Sequence, residues 1–226
     1  MDLSVLLIYF AVLLLLPMWA NRKVKSTYKK YMKVANSSGM TGAEVANRIL
    51  HENGIYNVNV EETKGTLSDH YDPTKKVIRL SSDNYHKSSQ AAAAIAAHEV
   101  GHAIQDAESY SFLQFRHSLF PVANIGSNMS YIFILAGLFL SLSGLFIAGI
   151  VLMAFAVLFQ LVTLPVEFNA SNRAMNQLVS TGIIGSAEHR ETKKVLDAAA
   201  WTYVAATVVA VMELLRFIMM YFMSQD

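Results

Sequence analysis

Cysteine is absent from the 226-residue chain. Disulfide stapling and a thiol nucleophile are therefore excluded, and any metal centre must be built from His, Asp or Glu. Charge is scarce as well: 15% of the residues are Asp, Glu, Lys or Arg, against 54% hydrophobic. That balance does not suit a soluble domain, so much of the apolar surface must face lipid. A net charge of +1 gives no argument for the concentrated basic face that nucleic acid requires, and no nucleic-acid partner is expected. Between Tyr131 and Phe159 charge is missing altogether. A domain this small has no interior that could hide such a length of helix on all sides.

What is present is organised as apolar runs. Leu3 to Ala20 is followed at once by Arg22, Lys23, Lys25, Lys29 and Lys30, which reads as a retained signal-anchor helix over 3–20 with its C-terminal end in the cytoplasm. The runs 119–140 and 143–164 are separated by the small polar step Ser141-Leu142-Ser143-Gly144. At about 1.5 Å per residue each can cross a hydrocarbon layer, and a tight helical hairpin is predicted. A further span over 198–222 is interrupted by Glu213 and Arg216. These lie on one helix face and are expected to pair with each other or with groups inside the bundle, because either charge is expensive in lipid.

Residues 21–118 are the stretch able to hold a polar subdomain. Thr41 and Glu44 have the spacing of a capping box, and Asn53-Gly54 should stop the helix that follows. Tyr56–Val60 and Lys76–Leu80 read as short strands, with Asp72-Pro73 supplying a turn before the second. The strand around Val77 to Leu80 is either an open edge that captures an extended polypeptide or a buried strand of a tiny sheet. An alanine-rich helix should start at Ser88 or Ser89 and run to Gln105.

That helix carries His98-Glu99-Val100-Gly101-His102, an H-E-x-x-H motif. Four-residue spacing brings both imidazoles to one face, where they can bind zinc, while Glu99 can accept the proton of the attacking water. Glu167, just beyond the third apolar run, can supply the third protein ligand; it can equally serve as a first-turn carboxylate of a helix led by Pro165. Asp72, Asp106 and Glu108 are the other carboxylates to which the ligand role could fall. Topology permits Glu167: two crossings return 165–195, with Arg173, Arg190, Lys193 and Lys194, to the cytoplasmic side that holds the histidines.

The segment Ala96 to Gln105, the run His70-Tyr71-Asp72-Pro73 and the hydrophobic hairpin before Glu167 together resemble the YugP-type family of membrane zinc metallopeptidases. More distantly they resemble HtpX-type membrane proteases and CAAX prenyl proteases. The resemblance implies a predominantly α-helical multi-pass membrane protein with about four transmembrane helices and a small α+β zinc-peptidase subdomain. It implies a gluzincin-like metalloendopeptidase with one catalytic Zn2+ on His98, His102 and Glu167. In the HtpX-like pattern the third ligand opens Glu-aromatic-x-Ala-Asp, which falls here on Glu167, Phe168, Asn169, Ala170 and Ser171. The final Asp, which in those relatives orients a zinc-ligating histidine, is replaced by Ser171, and the role falls to Ser171, weakly, or to Asn172 or another carboxylate.

The expected reaction is zinc-assisted hydrolysis in which Glu99 takes a proton from water and passes it to the departing amine. Arg173 is either an oxyanion stabiliser or a snorkelling base near the membrane. His70 either handles protons or oxyanion charge, or is an ordinary turn histidine. The expected partners are a polypeptide substrate, drawn from membrane or misfolded proteins, and the lipid bilayer of a bacterial plasma or inner membrane. Self-association and quality-control partners stay open. Two competing functions are a noncatalytic zinc-binding assembly factor and a hydrolase of non-peptide amides.

Overall fold

The computed structural model describes residues 3–223. In chain order the elements are α1 (Leu3–Tyr31), α2 (Gly42–Glu52), β1 (Asn59–Thr63), β2 (His70–Asp72), β3 (Val77–Ser81), α3 (Ser82–His86), α4 (Gln90–Ala107), α5 (Ser111–Phe139), α6 (Ser143–Ser180) and α7 (His189–Met223). Helices α1, α5, α6 and α7 are each long and apolar enough to cross a membrane, with mean hydropathies of 2.4, 1.4, 2.7 and 1.8 over their most apolar windows. The protein is thus a helical multi-pass membrane protein with a small α+β part. The chain separates into two compact units, one of 3–18, 111–165 and 203–223, the other of 19–110 and 166–202.

The first unit is apolar. Its core is Ile134, Phe146, Met153, Val157 and Phe217, while Leu7, Leu14, Leu135 and Leu215 point outward, as lipid-facing side chains do. The hairpin between α5 and α6 turns where the sequence placed it. Ser141 adopts a left-handed φ of 55°, and the Leu142 amide returns to the Gly137 carbonyl at 2.9 Å. A Cβ on Gly137 would lie 2.4 Å from the Phe146 nitrogen, so the close approach of the two helices depends on that glycine. Glu213 accepts hydrogen bonds from Arg216 at 2.8 Å and from the hydroxyls of Tyr131 and Tyr9. Both expected charges are paired inside the bundle.

The second unit is built on local signals that agree with its tertiary packing. The Thr41–Glu44 capping box opens α2, Asn53 ends it, and the Ser89 side chain caps α4 through the Ala92 amide at 3.1 Å. Val45, Ile49, Ile78, Leu80, Val100 and Leu178 are buried together in one core, each contributing about 1.5–3 kcal/mol of transfer free energy. Strand order is β1-β3-β2, with β1 parallel and β2 antiparallel to β3.

Two readings are decided here. First, of the two readings of β3 the buried strand of a small sheet holds and the open edge does not: it is the central strand, hydrogen-bonded on both sides, and Val77, Ile78 and Leu80 are buried. The edges belong instead to β1, which starts later than the Tyr56–Val60 reading because Ile55 and Val58 are buried ahead of it and Tyr56 is exposed, and to β2. Second, Pro165 does not begin a helix. It lies inside α6, which continues because Val166, Ala170, Ala174 and Leu178 form a buried stripe at four-residue spacing. Burial of that stripe outweighs the one amide that proline removes. Glu167 is therefore a mid-helix residue and not a first-turn carboxylate.

Candidate metal centre

Helix α4 and the 166–180 part of α6, both in the second unit, make the centre. Helix α4 presents His98 and His102 one turn apart, their rings 4.8 Å between centroids and nearly perpendicular at 86°. Helix α6 brings the buried Glu167 carboxylate against both: its Oε2 is 3.3 Å from His98 Nε2 and 3.6 Å from His102 Nε2. The donor atoms of the three residues all lie within 4.8 Å of one another. Three ligands held 2.0–2.1 Å from a zinc ion in tetrahedral geometry would stand about 3.3 Å apart, so the group fits zinc. Such closeness requires the helices themselves to touch. A Cβ on Gly101 would meet the Ala170 carbonyl oxygen at 2.5 Å, and the glycine in H-E-V-G-H is the residue that permits this contact.

The ring tautomers follow from a chain of hydrogen bonds. Arg173 can only donate, and its Nε does so to Asn169 Oδ1 at 2.7 Å. The same oxygen accepts from Gln105 Nε2 at 2.9 Å, and Gln105 Nε2 also donates to the Val166 carbonyl at 2.8 Å. Gln105 Oε1 therefore faces His102 Nδ1 at 3.0 Å as an acceptor, which puts the proton on Nδ1 and leaves the Nε2 lone pair toward Glu167. Ser171 Oγ is 3.1 Å from His98 Nδ1 and can serve the second histidine in the same way. The departure from the HtpX-like pattern at this position thus keeps a hydrogen-bonding partner in place.

Glu99 is buried beside the group. Burial pushes its carboxyl up to about 7; His98 opposes the shift, Asp69 and Glu167 add to it, and a hydrogen bond from the Tyr71 backbone amide restrains it. A carboxyl tuned toward neutrality can both take and return a proton.

The remaining sequence-derived residues are dispersed. His70 is exposed on β2, its Nδ1 2.9 Å from the Ser68 carbonyl and its Nε2 3.4 Å from Arg79. Arg173 is tied to Asn169 and, at 2.7 Å, to Glu108, so its guanidinium is held by polar protein groups. Of the alternative ligands, Asp106 binds Tyr71 Oη at 2.6 Å and Lys76 Nζ at 2.5 Å. Asp72 accepts the amides of Thr74 and Lys75 in the turn before β3, and Glu108 pairs with Arg173. None joins the three-residue group. Gln105 and Asn169 were not distinguishable as supports from sequence; the one available signal was an amide three residues after His102, on nearly the same helix face.

Residues 6–222 match a family described as "Putative neutral zinc metallopeptidase". The chain belongs to this zinc metallopeptidase family. It is 52% identical over 211 residues to the protein named "Putative membrane protease YugP" from Bacillus subtilis (strain 168), covering 93% of this chain and 94% of that one. No solved structure matches it. The chain is accordingly a membrane protein of a zinc peptidase family that acts on polypeptide. Within it, Gln105→Leu is expected to preserve the volume of the buried amide, leave His102 Nδ1 without its acceptor and weaken zinc affinity about 10–100-fold. Competition with a chromophoric chelator measures this, and an unaltered zinc dissociation constant would contradict it.

Proposed function

We propose that the protein is a gluzincin-like membrane endopeptidase with one catalytic zinc ion held by His98, His102 and Glu167, and with Glu99 as its general base. The observation that carries this reading is the convergence of two imidazole Nε2 atoms and one buried carboxylate oxygen at 3.3 and 3.6 Å, the donor set of a zinc ion with a position left for water or substrate. Bound there, zinc supplies Lewis acidity toward a water and a peptide carbonyl. Glu99 takes the proton from the attacking water and returns it to the nitrogen of the departing amine as the C–N bond breaks. Gln105 and Ser171 hold the histidine rings in the ligating tautomer, and Arg173 acts as a positioning residue through Asn169.

A polypeptide substrate is favoured by β2. It is an edge strand, and the Tyr71 amide on it reaches Glu99, so strand pairing at that edge would bring an extended chain to the general base. We further propose that 21–118 and 165–195 lie in the cytoplasm, flanking spans at 3–20, 119–140, 143–164 and 198–222, and that membrane or misfolded proteins are cleaved there. The six basic residues from Arg22 to Lys33, with no acidic residue between Leu3 and Ala43, support that orientation.

The test uses the full chain in detergent with an unfolded protein and a membrane protein as substrates, and product ends mapped by mass spectrometry. Cleavage should vanish on chelation and return with stoichiometric zinc. Tight zinc retention without cleavage of any polypeptide would favour the assembly-factor reading, and hydrolysis confined to non-peptide amides would favour the other.

A further inference from the structure

The second unit contains a cavity of about 420 Å³ lined by Lys23, Ser26, Thr27, Lys30 and Tyr31 of α1 and by Lys194, Asp197 and Trp201 of α7. The spacing explains the lining: 23, 26/27 and 30 share one face of α1, and 194, 197 and 201 share one face of α7. The charge balance is cationic. Asp197 is the one acid in the lining and is held by Lys193, outside the lining, at 2.7 Å. Lys194 has a carboxylate, that of Glu191, at 3.7 Å. Lys23 and Lys30 have no carboxylate partner among the described residues and rest on aromatic rings instead: Lys23 lies 4.8 Å from the Trp19 ring and 5.3 Å from the Trp201 ring, and Lys30 lies 5.1 Å from Tyr31. The two indoles meet edge to face at 5.6 Å.

Position in the chain says what such a pocket meets. Trp19 and Lys23 stand where α1 leaves its apolar run, and Trp201 stands at the start of the apolar part of α7. Indoles beside lysines at the ends of apolar helices mark the headgroup level of a bilayer. A basic pocket between two such helices offers a phosphate group three ammonium donors and the hydroxyls of Ser26, Thr27 and Tyr31, with indole surface beside it for the glycerol and upper acyl chain.

We propose that this pocket binds the phosphate of an anionic phospholipid. The lipid bridges the α1 and α7 faces within the second unit and neutralises Lys23 and Lys30, which have no carboxylate partner among the described residues. The site is separate in its residues from the zinc-binding group, and its test reads binding instead of hydrolysis.

Full-length protein in neutral detergent is titrated with palmitoyl-oleoyl phosphatidylglycerol or phosphatidylcholine, and bound lipid is counted by native mass spectrometry. Phosphatidylglycerol should bind about tenfold or more tightly than phosphatidylcholine. The triple variant K23Q/K30Q/K194Q should lose that preference, while R22Q/K25Q/K29Q, which removes the same charge from outside the lining, should keep it. Because Lys23 packs on both indoles, K30Q/K194Q is a second variant that leaves the stack intact; it should lose at least about half of the preference on a logarithmic scale. Equal loss in the inside and outside triples would reduce the effect to general surface charge and overturn the proposal. So would equal binding of the two lipids. Displacement of phosphatidylglycerol by 10 mM inorganic phosphate at constant ionic strength would identify a soluble phosphate as the ligand and overturn the lipid assignment.

Discussion

Glu99→Gln is expected to abolish most hydrolysis while leaving the bound zinc in place. The carboxylate lies beside the three-donor group without belonging to it, so the amide keeps the side-chain volume in a buried position and removes only the proton acceptor. Loss of a positioned general base costs about 10²–10⁴-fold in rate, and because the same group returns the proton to the leaving amine, the loss should fall on kcat more than on KM. Metal content by mass spectrometry should match that of the parent protein. Near-parent turnover in a variant with matched zinc would remove Glu99 from the base role. Loss of zinc together with activity would instead make it part of the metal-holding set.

Glu167→Gln should act on the metal first. A neutral amide is a poor zinc ligand, and the substitution removes the one negative charge from a set whose other two donors are neutral imidazoles. Changes in the hydrogen-bonding partners of zinc ligands typically cost 10–100-fold in affinity, so loss of the ligand itself should exceed about 100-fold. Competition with a chelator is the deciding measurement, because excess zinc would refill a weakened site and hide the effect. Folding should survive, since the stripe of Val166, Ala170, Ala174 and Leu178 that buries this part of α6 is untouched. Parent-like affinity would end the ligand assignment. The neighbouring carboxylates could not simply replace it, because Asp72, Asp106 and Glu108 are engaged with turn amides, Tyr71 and Lys76, and Arg173.

The two substitutions separate the roles that the H-E-x-x-H motif runs together. Glu99→Gln tests proton transfer with the metal present, and Glu167→Gln tests metal retention. Gln105→Leu falls between them, because it acts on His102 only through the ring proton. A graded order of zinc affinity, with Glu99→Gln closest to the parent, Gln105→Leu intermediate and Glu167→Gln weakest, is the signature of the arrangement described above.

Much of this protein was readable from the chain because the relevant signals are short-range. Apolar runs identify helices able to cross a membrane whatever their neighbours are, since helical backbone satisfies its own hydrogen bonds. The capping box at Thr41, the Ser89 cap and the turn at Asp72 are settled by residues a few positions apart. Two histidines at four-residue spacing share a helix face by geometry alone. Long-range contacts decided the rest. Local rules start a helix at Pro165, but the burial of four side chains beyond it carries α6 straight through. Local alternation does not reveal that β3 is central, because strand order depends on which segments meet. The proton on His102 Nδ1 is settled by Gln105 of the same helix, whose amide is oriented by Asn169 and Arg173 of α6, and Gly101 matters because the Ala170 backbone lies against it. The membrane class, the local caps and the pair of imidazoles each depend on spacing within one segment and so are written in the chain. That Glu167 meets both imidazoles follows only from the close packing of α4 against α6.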